Sequence, residues 1–192
     1  MHAPVPAPDP TPNTASGRPL TITIVVGNPR VGSRTRLAAD AVAAGVATLA
    51  QDAGRAPVTQ AIELAALAGE LFMFPSAAVD AAVVLAQAAD VLVVASPTYK
   101  ASYTGLLKAF FDRFASGSLT GVVAVPLMLG GAATHALAVD THLHPLLLEI
   151  GASLPTRGLF VLESELEQLP ATVAAWSSTN APILSRLLRP AS

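Results

Sequence analysis

The stretch from Leu20 to Leu37, LTITIVVGNPRVGSRTRL, constrains this chain more than any other. Its first half is apolar and β-branched at Ile22, Ile24, Val25 and Val26, which reads as a buried strand, and Gly27 and Pro29 end it. A polar loop follows, and then an alanine-rich helical run. The loop offers Asn28, Arg30, Ser33, Arg34 and Thr35 just ahead of the helix. A phosphate needs such a set: unpaired backbone N–H groups and a positive dipole end in the first helical turn, with hydroxyls and arginines as directed donors. Gly32 lets the backbone curl closely around an anion. Two other phosphate motifs do not fit. A P-loop needs lysine after its second glycine, and here Gly32 is followed by Ser33 and Arg34. A dinucleotide fingerprint needs a second glycine two residues on, and none follows Gly27 until Gly32. The same residues also suit an ordinary strand-to-helix turn with Ser33 as N-cap, and the loop alone does not choose between the two.

The remaining chain repeats that unit. Ser33 to about Gln51 reads as a helix with Leu37, Val42, Val46 and Leu49 inward, and Val58–Leu64 as a second strand. Ala65–Ser76 holds Phe72, Met73 and Phe74; buried loop packing is the expectation, with a lid or interface patch as alternatives. Ala77–Ala89 is helical, and VLVVAS at 91–96 is a continuous apolar run of the kind found in central parallel strands. SPTYKASYTGLLKAFFDRF at 96–114 is a second strand–loop–helix unit. Its loop places Pro97, Thr98, Tyr99 and Lys100 at the carboxyl end of a central strand. Leu106, Leu107, Phe110, Phe111 and Phe114 mark the buried face of its helix, with Tyr103 in the first turn. VVAVPLML at 122–129 is a fourth strand ending in Gly130-Gly131, where a flat ligand has room to approach the backbone. The run 134–151 is expected to be one helix kinked at Pro145, 154–164 a fifth strand, and Glu165–Leu188 a closing helix. Strands alternating with helices in this way predict an α/β fold: a doubly wound five-stranded parallel sheet of flavodoxin type, order 2-1-3-4-5, helices on both faces. In that order the loops after strands one, three and four share one sheet edge, and the first two flank the switch point where ligands bind.

Composition narrows the functional classes. Charged residues make up 12% of the 192-residue chain and the net charge is −2, which offers no basic footprint for nucleic acid. Apolar residues reach 52%, so part of the surface is expected to be covered between subunits of a homo-oligomer. There is no cysteine, which excludes disulfides, thiol catalysis and thiolate metal sites. His142 and His144 lack metal-ligand spacing, so no metal site is expected. No apolar run approaches the ~18 residues that span a membrane. Six of the sixteen prolines (Pro4, Pro6, Pro8, Pro10, Pro12 and Pro19) fall in residues 1–19, which are expected as a disordered tail ahead of one domain over 20–192.

The three loops, GNPRVGSRT, SPTYKASYTGLLKAFFDRF and LGGAATHALAVDTHLHPLLLEIGA, resemble in order the flavin-contacting loops of the NADPH-dependent FMN reductases. The likeness is greatest to the alkanesulfonate-assimilation type and covers roughly Ile22–Leu162, its most specific part being GGxxxHxLAVDxxLxPLLxxxGA. The resemblance implies that Arg30, Ser33 and Thr35 hold the FMN phosphate, with Asn28 and Arg34 beside them. It implies that Pro97, Thr98, Tyr99 and Lys100 line the ring and ribityl chain, and that Gly130, Gly131 and Thr134 border the ring's polar edge. Asn28 stands where the family usually has serine, and Thr35 where it has asparagine or serine; each can still donate a hydrogen bond. The resemblance further implies FMN and NADPH (or NADH) as cofactors and no catalytic acid–base residue. It implies a homodimer or homotetramer in the cytoplasm, handing reduced FMN to a partner flavin-dependent monooxygenase. Two alternatives share the fold: a quinone or azo reductase that keeps its flavin, and a flavodoxin-like electron carrier. Carriers are usually strongly acidic and frame the flavin with aromatics, whereas this chain is near neutral and lacks an aromatic in the third loop.

Overall fold

The computed structural model describes residues 18–189. Residues 1–17 of the expected tail, and the last three of the chain, lie outside the described residues. Five parallel strands form one sheet in the order β2-β1-β3-β4-β5, where β1 is Leu20–Val26, β2 Pro57–Glu63, β3 Val91–Pro97, β4 Val123–Gly130 and β5 Leu159–Leu162. The order is the flavodoxin one read from the sequence, with the switch point between β1 and β3. Five helices connect and close it: α1 (Arg34–Asp52), α2 (Ala77–Gln87), α3 (Gly105–Phe111), α4 (His144–Glu149) and α5 (Leu169–Leu187).

The period-two alternation of β1 builds two cores. Ile22, Ile24 and Val26 point to one face, where they meet α1 and α5 through Val42, Val46, Val173 and Trp176. Val25 points to the other face, into a cluster of Leu92, Val94, Phe110, Phe111, Phe114 and Leu147. The three phenylalanines pack edge-on or tilted at ring separations of 5.1–5.4 Å. Trp176 thus belongs to the first of these cores. At the start of the described residues, Arg18 forms an ion pair with Asp90, which also accepts the Thr21 N–H at 2.8 Å.

Several local expectations are corrected. Leu37 is 57% exposed, and the buried stripe of α1 runs through Ala38, Ala39, Val42, Ala43, Val46, Leu49 and Ala50. Alanines face the sheet and let the helix approach it closely; Leu37 is one residue, about 100°, off that stripe. Phe72, Met73 and Phe74 are not buried loop packing. They are 81%, 54% and 74% exposed, with the Arg113 guanidinium 3.9 Å above the Phe74 ring. Tyr103 precedes the first turn of α3, because Thr104 is the N-cap.

The run 134–151 is three pieces rather than one kinked helix: a 3₁₀ turn at Ala133–His135, a π turn at Val139–Leu143, and α4. Within the π turn the His144 N–H donates to the carbonyl of Val139, five residues back. Pro145, having no N–H, falls in the first turn of α4, where none is needed.

β5 is also shorter than the sequence implies. In β4 the N–H of Ala124 faces the β5 side, donating to Ser153, so residue 126 faces the same way. Pro126 has no N–H to offer, and pairing with β5 starts only at Leu127. A 3₁₀ segment, Glu163–Gln168, then precedes α5.

Candidate phosphate and flavin site

The loop after β1 folds around its own side chains. Asn28 Oδ1 accepts the Arg30 N–H at 2.9 Å, an Asx turn, while Asn28 Nδ2 donates to the fully buried Thr35 Oγ1 at 3.0 Å. Gly32 takes φ +64°, a left-handed conformation that glycine adopts without cost, and its N–H donates to Glu63 at 2.8 Å. Ser33 caps α1, its Oγ accepting the Arg36 N–H at 3.3 Å. The N–H groups of the first helical turn that remain have no carbonyl inside the helix to meet. Arg36 is committed elsewhere: it binds Asp40 and, at 3.0 Å, Glu63. The Asp40 hydrogen bond, opposed by partial burial and reinforced by both carboxylate charges, raises its pKa, so it remains a cation away from the loop's mouth.

A second loop faces the first across the switch point. Thr104 ties them together: its Oγ1 donates to the Gly27 carbonyl at 2.6 Å and accepts the Leu107 N–H at 3.1 Å, while its own N–H donates to Ser96 at 3.0 Å. Between them, Tyr99 and Ser102 exchange two backbone hydrogen bonds around a two-residue turn. Lys100 and Ala101 occupy that turn at φ 50° and 64°, where asparagine and glycine are the usual residues. Such strain persists where the surroundings fix the loop, and it clusters at ligand sites.

These loops bound a cavity of about 320 Å³. Of the residues singled out from the sequence, Asn28, Arg30, Ser33, Arg34, Thr35, Pro97 and Tyr99 line it. The other five lie outside that lining. Lys100 is exposed at the turn tip, and Gly131 and Thr134 are exposed beyond β4. Thr98 is half-buried with its hydroxyl buried and unpartnered. At Gly130 a Cβ would lie 2.6 Å from the Phe160 ring and 3.0 Å from Thr98 Oγ1, so close packing within the fold demands the glycine. At Gly131 a Cβ would meet nothing, which leaves that position open toward the edge.

Sequence reasoning missed Val31, Leu129 and Glu163 in the lining, and Glu63 behind it. Glu163 follows β5 directly, and its Oε2 lies 3.0 Å from Arg34. Its position at the carboxyl end of a strand was the available signal. The donor set fits a phosphate: two arginines, two hydroxyls and free helix N–H groups converge on one mouth.

The fold is flavodoxin-like, and the two loops facing each other at its switch point bound a cavity lined by Arg30 and Arg34. The model of the NADPH-dependent FMN reductases matches residues 20–167, and the chain belongs to that family. It is 42% identical over 80 residues to FMN reductase (NADPH) of Escherichia coli, 42% of either chain. It is 30% identical over 189 residues to the NADH-dependent FMN reductase SfnF of Pseudomonas fluorescens, covering 90% of this chain and 96% of that one. Among solved structures, an oxidoreductase from Corynebacterium diphtheriae superposes with a TM-score of 0.79 at 28% identity, over 90% of this chain and 98% of that one. The chain spans under half the length of the first curated relatives it matches.

Proposed function

We propose that this chain is an NAD(P)H-dependent FMN reductase that supplies reduced FMN to a partner flavin-dependent monooxygenase. The observation that carries the reading is the cradle at the switch point, where Arg30, Arg34, Ser33 and Thr35 meet Pro97 and Tyr99 around one cavity. Arg30, Ser33, Arg34 and Thr35, braced by Asn28, hold the phosphate in this reading. Pro97–Lys100 line the ring and ribityl chain, and Gly130, Gly131 and Thr134 border the ring's polar edge. FMN supplies the hydride-accepting chemistry when bound, so the chain needs no acid–base triad of its own. Its residues bind the phosphate, orient the ring and limit water. Between Gly130 and Ala136 no aromatic side chain stands ready to stack on the ring, which leaves one face open to a nicotinamide. In this reading the enzyme works in the cytoplasm as a homodimer or homotetramer. Relatives named SfnF and SfnE support the broader activity and differ from the E. coli relative in naming NADH rather than NADPH.

The test is steady-state oxidation of NADPH and of NADH by protein stripped of flavin, with and without added FMN. Saturable dependence on FMN with release of free reduced flavin is the expected result. Turnover only with retained flavin and an added quinone or azo dye assigns the flavin-retaining reductase instead. Bound flavin without nucleotide oxidation assigns an electron carrier.

A further inference from the structure

We propose that Glu163 is an affinity-setting residue that competes with the FMN phosphate for Arg34 and thereby keeps FMN exchangeable. The inference rests on the FMN reductase reading above. A carboxylate in the wall of a phosphate cavity is electrostatically adverse, and Glu163 stands there at the opening of the 3₁₀ segment after β5. Its ion-pair partner among the described residues is Arg34, at 3.0 Å, and both side chains line the cavity.

The two arginines of the cradle therefore differ. Among the described residues no carboxylate pairs with Arg30, which is a standing donor. Arg34 reaches a phosphate only by leaving Glu163. That exchange is cheap, because the Arg34 side chain is 62% exposed and Glu163 35% exposed, and pairs this wet are weak. After the exchange Glu163 is an unpaired anion facing a second anion, so part of the phosphate's attraction is cancelled. Glu63, the other carboxylate near the loop, does not act this way; the Gly32 N–H and Arg36 hold it behind the loop. The device acts on the phosphate and leaves the ring alone, so it distinguishes FMN from riboflavin.

The experiment compares FMN and riboflavin dissociation constants and FMN release rates for the wild type, Glu163→Gln, Arg34→Gln and the double variant. Glu163→Gln is expected to tighten FMN about three- to tenfold, mostly through slower release, and to leave riboflavin unchanged. In the Arg34→Gln background the same substitution is expected to do less. Riboflavin binding also reports that each variant is folded. An unchanged or weaker FMN affinity in Glu163→Gln, or an equal change for both flavins, overturns the proposal. If Arg30→Ala also fails to separate FMN from riboflavin, the phosphate reading of the cradle fails with it. If Arg30→Ala separates them and Glu163→Gln does not, only the role of Glu163 falls.

Discussion

Arg30 and Arg34 carry the same charge but not the same freedom. Arg30, exposed and without a carboxylate partner among the described residues, has no prior bond to give up. Arg30→Ala is therefore expected to remove a charge-assisted hydrogen bond and weaken FMN roughly 10- to 150-fold, leaving riboflavin nearly unaffected. Fluorescence quenching titrations with both flavins check it; unchanged FMN affinity would remove the phosphate from this loop. Residue types in the first loop were legible because the chemistry is local. Gly130 was legible only as a glycine: the packing that demands it comes from Phe160, 30 positions along the chain.

At the scale of elements, the two facing loops depend on Thr104. It caps α3 and crosses to the end of β1, so one hydroxyl fixes both the helix start and the width of the switch point. Thr104→Val keeps the shape and loses both bonds. It is expected to cost about 1–3 kcal/mol of stability and to weaken FMN and riboflavin alike, in contrast to Arg30→Ala. Thermal melts and the same titrations test this, and a melting temperature unchanged from the wild type would mean the bridge is inert. Strand existence was readable from apolar runs, but lengths were not always. The late start of β5 follows from which way Pro126 faces in β4, a matter of register. The broken run 134–151 likewise kept its helical composition while its backbone divided into 3₁₀, π and α turns.

For the whole molecule, the low charge leaves apolar side chains on the surface, with Phe72, Phe74 and Leu137 each at least 70% exposed. Apolar cover of this kind is expected to be shared between copies. Sedimentation analysis should therefore find two or four chains together, and a single 19.5 kDa species at micromolar concentration would overturn that expectation. Among the described residues no helix is long and apolar enough to cross a membrane.

The sequence by itself determined the alternation of strands and helices, the flavodoxin order and the family. The first two are carried by periodicity and turn residues, and the family by the resemblance of three loop motifs. Only the tertiary structure decided which face of α1 is buried, because an alanine stripe has too little hydrophobic contrast to announce itself. It alone brought Glu163, just after β5, against Arg34 at the start of α1, the helix that packs with α5 on one face of the sheet. Contacts between residues 129 positions apart leave no local trace, and that pairing is what makes the cradle more than a row of donors.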